Sequence, residues 1–180
     1  MSVPENKAPG KNIGLGMLVA SFSLTLVALT IIFDTWLSDL YNPNKTPTST
    51  LTESGIKEVT LERNRQGHYV ANGEINGIPA TFLLDTGATD VAIPADVANR
   101  ARLEKGNAHQ ASTANGIVTV FDTLVDELSL GNIVLYDIDA SITPSMLGNT
   151  VLLGMSALRQ VEFAQRGSTL TLTQLPEKLK

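Results

Sequence analysis

Cysteine is missing altogether from this 180-residue chain. Its absence excludes thiol nucleophiles, disulfide bridges and cysteine-ligated metals, while leaving the cellular compartment open. Histidine is nearly as scarce. His68 and His109 lie on separate segments without a ligand cluster, so no metal or other cofactor is expected. Bases are outnumbered, 13 Lys and Arg against 18 Asp and Glu, and gather into no patch, which removes nucleic acid as an expected partner. Setting aside Glu5, Lys7 and Lys11 leaves 17 acids and 11 bases, so the acidic balance belongs to the chain beyond residue 12. Ser141, Ser145 and Ser156 lack the strand-to-helix turn that exposes a serine nucleophile.

Charge is also absent from residues 13–33, IGLGMLVASFSLTLVALTIIF, across 21 positions. As a helix rising about 1.5 Å per residue, this stretch spans roughly 30 Å, the thickness of a bilayer core. It exceeds the apolar length of a secretory signal, and no A-x-A-like site follows it. Asp34, Trp36 and Tyr41 follow instead, a polar and aromatic edge suited to the headgroup layer, so the stretch reads as an uncleaved transmembrane anchor. Lys7 and Lys11 precede it while Asp34 and Asp39 follow, which points to a cytoplasmic N-terminus and a domain outside a bacterial cytoplasmic membrane, periplasmic or otherwise extracytoplasmic. Gly10-x-x-x-Gly14 and Gly16-x-x-x-Ala20 are spacings that would let two such spans pack.

The expected organisation is a tail at 1–12, the anchor at 13–33, a juxtamembrane segment and linker at 34–58, and a globular domain at 59–180. Residues 42–58, NPNKTPTSTLTESGIKE, lack periodicity and read as a spacer. From residue 59 the pattern is strand-like. His68–Ile75 and Ile78–Leu84 flank Asn76-Gly77, a strong hairpin signal. A short helix is expected over Pro94–Ala101 with the proline in its first turn, and a second over Met155–Gln160. Asn115-Gly116 predicts another hairpin, followed by a strand at Ile117–Phe121; its tip of small polar residues makes it a candidate lid. Leu124–Leu130 and Ile133–Ile142 are read as two further strands, and Val161–Ala164 with Leu170–Leu175 as a closing hairpin. Asp122, Asp126, Glu127, Asp137 and Asp139 are most simply solvated strand edges.

One stretch resists a purely structural reading. In Phe82-Leu83-Leu84-Asp85-Thr86-Gly87-Ala88-Thr89-Asp90, three apolar residues run into a carboxylate, a hydroxyl and a glycine. Folding has no use for a carboxylate directly after an apolar run, because desolvating it is costly. A strand ending in an ordinary turn is the simpler account, and D-T-G arises by chance in about two of a hundred chains of this length. The weight of the motif therefore depends on its surroundings. FLLDTGATDVAIP, then the Asn115-Gly116 hairpin, then VLLGMSAL occur in that order.

This ordered set resembles the retropepsin-like aspartic proteases, and more narrowly their bacterial membrane-anchored members, over about residues 58–175. The resemblance implies a mainly β acid-protease half-barrel with one or two short helices, here preceded by a single transmembrane helix. It implies Asp85 as the catalytic residue, supported by Thr86, Gly87 and Ala88, with Asn115 and Gly116 in the flap and Leu152, Leu153 and Gly154 packing beside the catalytic strand. Peptide hydrolysis needs a base to activate water and an acid for the leaving nitrogen, and two aspartates sharing one proton supply both. The chain has one D-T-G, so the expected enzyme is an aspartic endopeptidase formed as a homodimer, with a peptide or protein substrate. Ile93, Ile117 and Leu153 are pocket walls or plain core. Thr89 and Met155 stand where retroviral members commonly carry an aspartate and an arginine, and Leu170–Leu175 adds a strand, so a differently built dimer interface is expected. The alternatives are a non-catalytic dimerisation or peptide-binding module on the same fold, and a membrane-tethered structural domain.

Overall fold

The computed structural model describes residues 11–113 and 116–176, and the chain divides into one unit ending at Asp39 and another beginning at Leu40. Helix α1, Lys11–Tyr41, 31 residues or about 46 Å in length, makes up the described part of the first unit and ends two residues into the second. Its segment Gly14–Tyr41 is long and apolar enough to cross a membrane, with a mean hydropathy of 2.3 over its most apolar 18 residues. A helix apolar on every face has no amphipathic stripe with which to pack on a soluble core. Four of its hydroxyls bond within the helix: Ser21 donates to the Leu18 carbonyl, Thr25 to Ser21, Thr30 to Leu26 and Thr35 to Ile31. That arrangement leaves no side-chain donor of these residues in need of water. Phe33 and Trp36 meet edge to face near the polar end.

The second unit is mainly β. In chain order it contains β1 (Thr48–Leu51), β2 (Lys57–Glu62), β3 (Val70–Ile75), β4 (Ile78–Leu84), β5 (Val91–Pro94), α2 (Ala95–Arg100), β6 (Ala108–Thr113), β7 (Gly116–Leu130), β8 (Ile133–Thr143), β9 (Thr150–Leu153), α3 (Met155–Leu158), β10 (Glu162–Arg166) and β11 (Thr169–Gln174). Seven strands form one sheet in the order β3-β4-β9-β5-β8-β7-β6, and β3 also pairs with β7, so the sheet curls back on itself. The other sheet, β1-β2-β11-β10, is antiparallel throughout. Between the curled faces lie Phe82, Ile75, Ile93, Leu128, Ile138, Ile142, Val151 and Leu153, all buried.

The β3–β4 hairpin turns at Asn76-Gly77, with φ of +49° and +74°. Both values fit the tight turn whose twist matches that of its flanking strands. The Asn76 side chain then accepts a hydrogen bond from the Glu127 amide, fixing the turn to β7. Two parallel pairings, β4 with β9 and β5 with β8, bring distant segments side by side and set up the site.

Several expectations are corrected. Residues 42–58 are not a bare spacer: Thr48–Leu51 pairs with β2, and Asn42 and Asn44 are buried. The asparagine amides supply the hydrogen bonds that an apolar pattern would otherwise have signalled. Ile117–Phe121 and Leu124–Leu130 are parts of one strand, β7, because the intervening Asp122 and Thr123 keep their places opposite Ser141 and Ala140. Pro94 ends β5 and caps α2 from outside its first turn.

Candidate active site

Strand β4 carries the chain from the buried Phe82 to Asp85, which is half-buried. The Asp85 amide donates to the Leu153 carbonyl at 3.2 Å, extending the β4–β9 pairing by one residue. There the chain turns. Asp85 Oδ1 accepts from the Gly87 amide at 2.9 Å, and the Ala88 amide donates to the Asp85 carbonyl at 3.2 Å. An aspartate folding its own backbone in this way holds its carboxylate in a fixed direction.

The return half of the loop is fastened to the start of α3. The Met155 amide donates to the Ala88 carbonyl and the Ser156 amide to the Thr89 carbonyl, each at 2.9 Å. The Val91 amide donates to Ser156 Oγ at 3.0 Å. These contacts require very close packing at Gly154. A Cβ there would lie 2.2 Å from the Asp90 carbonyl oxygen and 2.8 Å from that of Ala88, which no side chain allows. The pairing of Leu152, Leu153 and Gly154 with the D-T-G segment thus has a physical cause: backbone meets backbone where only glycine fits.

The structure brings Asp85, Thr86, Gly87, Ala88, Leu153 and Gly154 into one assembly, with Leu152 beside it opposite Ala92. Thr86 and Gly87 are exposed. Among the described residues, no second carboxylate hydrogen-bonds to Asp85 and no group of three or more His, Asp or Glu could hold a metal ion. Asn115 lies outside the described residues. Gly116 opens β7 with φ of +110°, and Thr113 Oγ1 donates to its carbonyl at 2.8 Å, closing the β6–β7 hairpin near its tip. Ser112, Thr113, Gly116 and Ile117 are all exposed there.

Ile93 and Leu153 belong to the core rather than to a pocket wall, whereas Ile117 is 71% exposed. A cleft of about 580 Å³ lined by residues including Asn76, Arg102, Lys105, Asp122 and Asp126 contains none of the expected site residues. His109 pairs with Asp122 at 3.1 Å and Arg159 with Asp139 at 3.5 Å, all on the surface. Ser156, unsuited to be a nucleophile, instead braces the Asp85 loop. Its partner is 65 residues away, so no local pattern announces it.

A carboxylate presented by an apolar strand is thus clamped against a second strand–glycine–helix unit. The chain belongs to the gag-polyprotein putative aspartyl protease family, matched over residues 71–160. Its fold is that of the retropepsin-like aspartic proteases. The structure of a retropepsin-like aspartic protease from Rickettsia conorii superposes with a TM-score of 0.55 and 22% identity, covering 72% of this chain and 94% of that one. The EIAV protease complexed with the inhibitor HBY-793 is also similar, with a TM-score of 0.42, 22% identity, and coverage of 53% and 89%. An uncharacterized Sinorhizobium sp. protein in the cobV 5′ region is 30% identical over 119 residues, and the chain spans about half (51%) of that relative's length and matches it over 64% of its own.

Proposed function

We propose that this protein is a membrane-anchored aspartic endopeptidase whose catalytic pair is Asp85 from each of two identical chains. The observation carrying the reading is the clamped turn: one carboxylate per chain, aimed by the Gly87 amide and presented beside exposed Thr86 and Gly87. Two carboxylates brought to hydrogen-bonding distance cannot both ionise readily, so they share a proton, as is established for aspartic proteases. The charged member takes a proton from water as its oxygen attacks the peptide carbonyl. The protonated member gives its proton to the carbonyl oxygen. As the tetrahedral intermediate collapses and its C–N bond breaks, the aspartate that took the water proton gives it to the departing nitrogen, and a hydroxyl of the intermediate returns a proton to the other aspartate. The titration belongs to the pair rather than to either residue.

Thr86, exposed and without a side-chain hydrogen bond among the described residues, is free to meet its counterpart across the two-fold axis. Gly87 permits close approach, and Ala88 keeps the substrate path clear. The β6–β7 hairpin, which carries Gly116 and, outside the described residues, the other expected flap residue Asn115, closes over an extended peptide bound through its backbone. A cleft enclosed by two chains is only half formed in one, which accounts for Asp85 lying outside the 580 Å³ cleft. The apolar helix anchors the enzyme in a bacterial cytoplasmic membrane with its N-terminus inside and the protease domain outside.

The test is cleavage of fluorescein-labelled casein by the full chain in lipid bilayers, with Asp85→Asn as the comparison. The expected outcome is loss of about 10³-fold or more in turnover. Unchanged cleavage by the variant rejects the mechanism, and peptide binding without turnover by the unaltered protein supports a binding module instead.

A further inference from the structure

The loop from Asp85 to Val91 is joined to Leu153–Ser156 by four hydrogen bonds. Three use backbone atoms on both sides: Asp85 N–H to Leu153 O, Met155 N–H to Ala88 O, and Ser156 N–H to Thr89 O. Any sequence following the same path would make them. The fourth, from the Val91 amide to Ser156 Oγ at 3.0 Å, uses a side chain, so its strength is set by residue choice.

Ser156 is 2% exposed and Val91 is fully buried. A buried hydroxyl is unfavourable unless hydrogen-bonded, and alanine would pack in such a place without that cost. The hydroxyl meets a specific need. β5 pairs with β8 over Val91–Pro94 and with β9 at Ala92–Leu152, and at its first residue the Val91 amide is received by Ser156 Oγ. The bond sits where the loop rejoins the sheet. It thereby fixes the exit of a turn whose entrance is fixed by Leu153.

We infer that Ser156 is a positioning residue for the Asp85 turn, holding the carboxylate in register through Val91 and the loop between them. The inference rests on the proposed role of Asp85, but it also has a readout independent of cleavage. Without the Ser156 hydroxyl, the Val91 amide is buried and unpaired, and the loop gains freedom to shift. Misplacing a catalytic group by about 1 Å costs on the order of 10²-fold in rate.

The experiment compares Ser156→Ala, Ser156→Cys and Ser156→Thr in the full chain in bilayers, reading casein cleavage and amide hydrogen exchange together. For Ser156→Ala, kcat is expected to fall about 10- to 100-fold with KM within about twofold. The Val91 and Gly87 amides should exchange about tenfold faster, while the core amides of Leu128 and Ile138 stay unchanged. Threonine retains the acceptor and should recover most of kcat; cysteine, similar in volume but a weak acceptor, should not. Unchanged Gly87 exchange in Ser156→Ala overturns the inference, as does an equal rise at Leu128 and Ile138, which marks general destabilisation. If the unaltered protein cleaves nothing, the protease reading fails while Gly87 exchange still decides the role of Ser156.

Discussion

Replacing Asn44 by alanine should destabilise the second unit far more than its place in a Thr- and Pro-rich stretch suggests. Asn44 is 5% exposed, and its amide is fully used. Nδ2 donates to the Glu62 carbonyl at 2.9 Å and to the Val70 carbonyl at 2.7 Å, while Oδ1 accepts from the Glu62 amide at 2.7 Å. Glu62 ends β2 in the four-stranded sheet, and Val70 begins β3 in the seven-stranded one. One side chain therefore joins the two sheets. Asn42 and Asn72 support it: the Asn44 amide donates to Asn42 Oδ1, and Asn42 Nδ2 donates to Asn72 Oδ1.

Alanine removes three hydrogen bonds and leaves one buried donor and two acceptors unpaired. At about 1 kcal/mol for each bond, the loss is about 3 kcal/mol, a large share of the roughly 5–15 kcal/mol that holds a domain together. It corresponds to a fall in Tm of about 10 °C. Asn44→Asp should be worse, since it keeps the acceptor but turns a charge toward two carbonyls. Urea unfolding followed by the strand signal in circular dichroism measures both, because the single tryptophan, Trp36, lies on α1 rather than on a strand. A loss below about 0.5 kcal/mol for Asn44→Ala, the range of ordinary surface changes, would refute the account of Asn44 as a joint between sheets.

Gly154→Ala should cost about 3 kcal/mol or more and depress cleavage, because the new Cβ meets the Asp90 and Ala88 carbonyl oxygens and the loop must move aside; denaturant unfolding and the casein assay check the two effects. Asp85→Asn should melt within about 2 °C of the unaltered protein, since its half-buried side chain still offers an oxygen to the Gly87 amide. The proposed sharing of one active site by two chains makes this variant interfering: equal amounts co-assembled with unaltered chains should leave about one quarter of the activity, and one half would mean that each chain works alone.

The parts legible in the sequence are those governed by neighbours along the chain. Ile78–Leu84 is read with its observed limits because Asn76-Gly77 fixes one end and Asp85 breaks the apolar run at the other. The pairing of the D-T-G segment with Leu152-Leu153-Gly154 follows from the ordered motifs, and glycine's lack of a Cβ explains it physically. What escapes is held by partners distant in sequence. Strand β1 is exposed throughout, so it has no buried face to produce an alternating pattern. Asn44 looks like a spacer residue until Glu62 of β2 and Val70 of β3 take up its amide. Ser156 belongs to the same class: its hydroxyl gains meaning only from an amide on another strand.

In the proposed dimer the anchor does work that the strand edges do not. Strand β11 is hydrogen-bonded on both sides, to β2 over Lys57–Glu62 and to β10 over Glu162–Arg166. The four-stranded sheet is thus completed within one chain, with β2 and β11 paired to each other at its centre and β1 and β10 at its edges. Its outer strands, β1 and β10, are exposed, and β10 carries Glu162 and Arg166, charges of the kind that discourage edge pairing. A dimer resting mainly on the Asp85 loops and the flaps then has little interface of its own. Confinement of two chains to one membrane raises their effective concentration without adding contacts. Removing residues 1–39 should therefore leave a domain whose specific activity rises with its concentration in solution, while the full chain at equal amounts in bilayers is active at dilutions where the free domain is not. Casein cleavage across a hundredfold dilution series, with sedimentation to read association, measures the difference. Specific activity of the free domain that stays constant on dilution would show that the domains hold each other without the membrane.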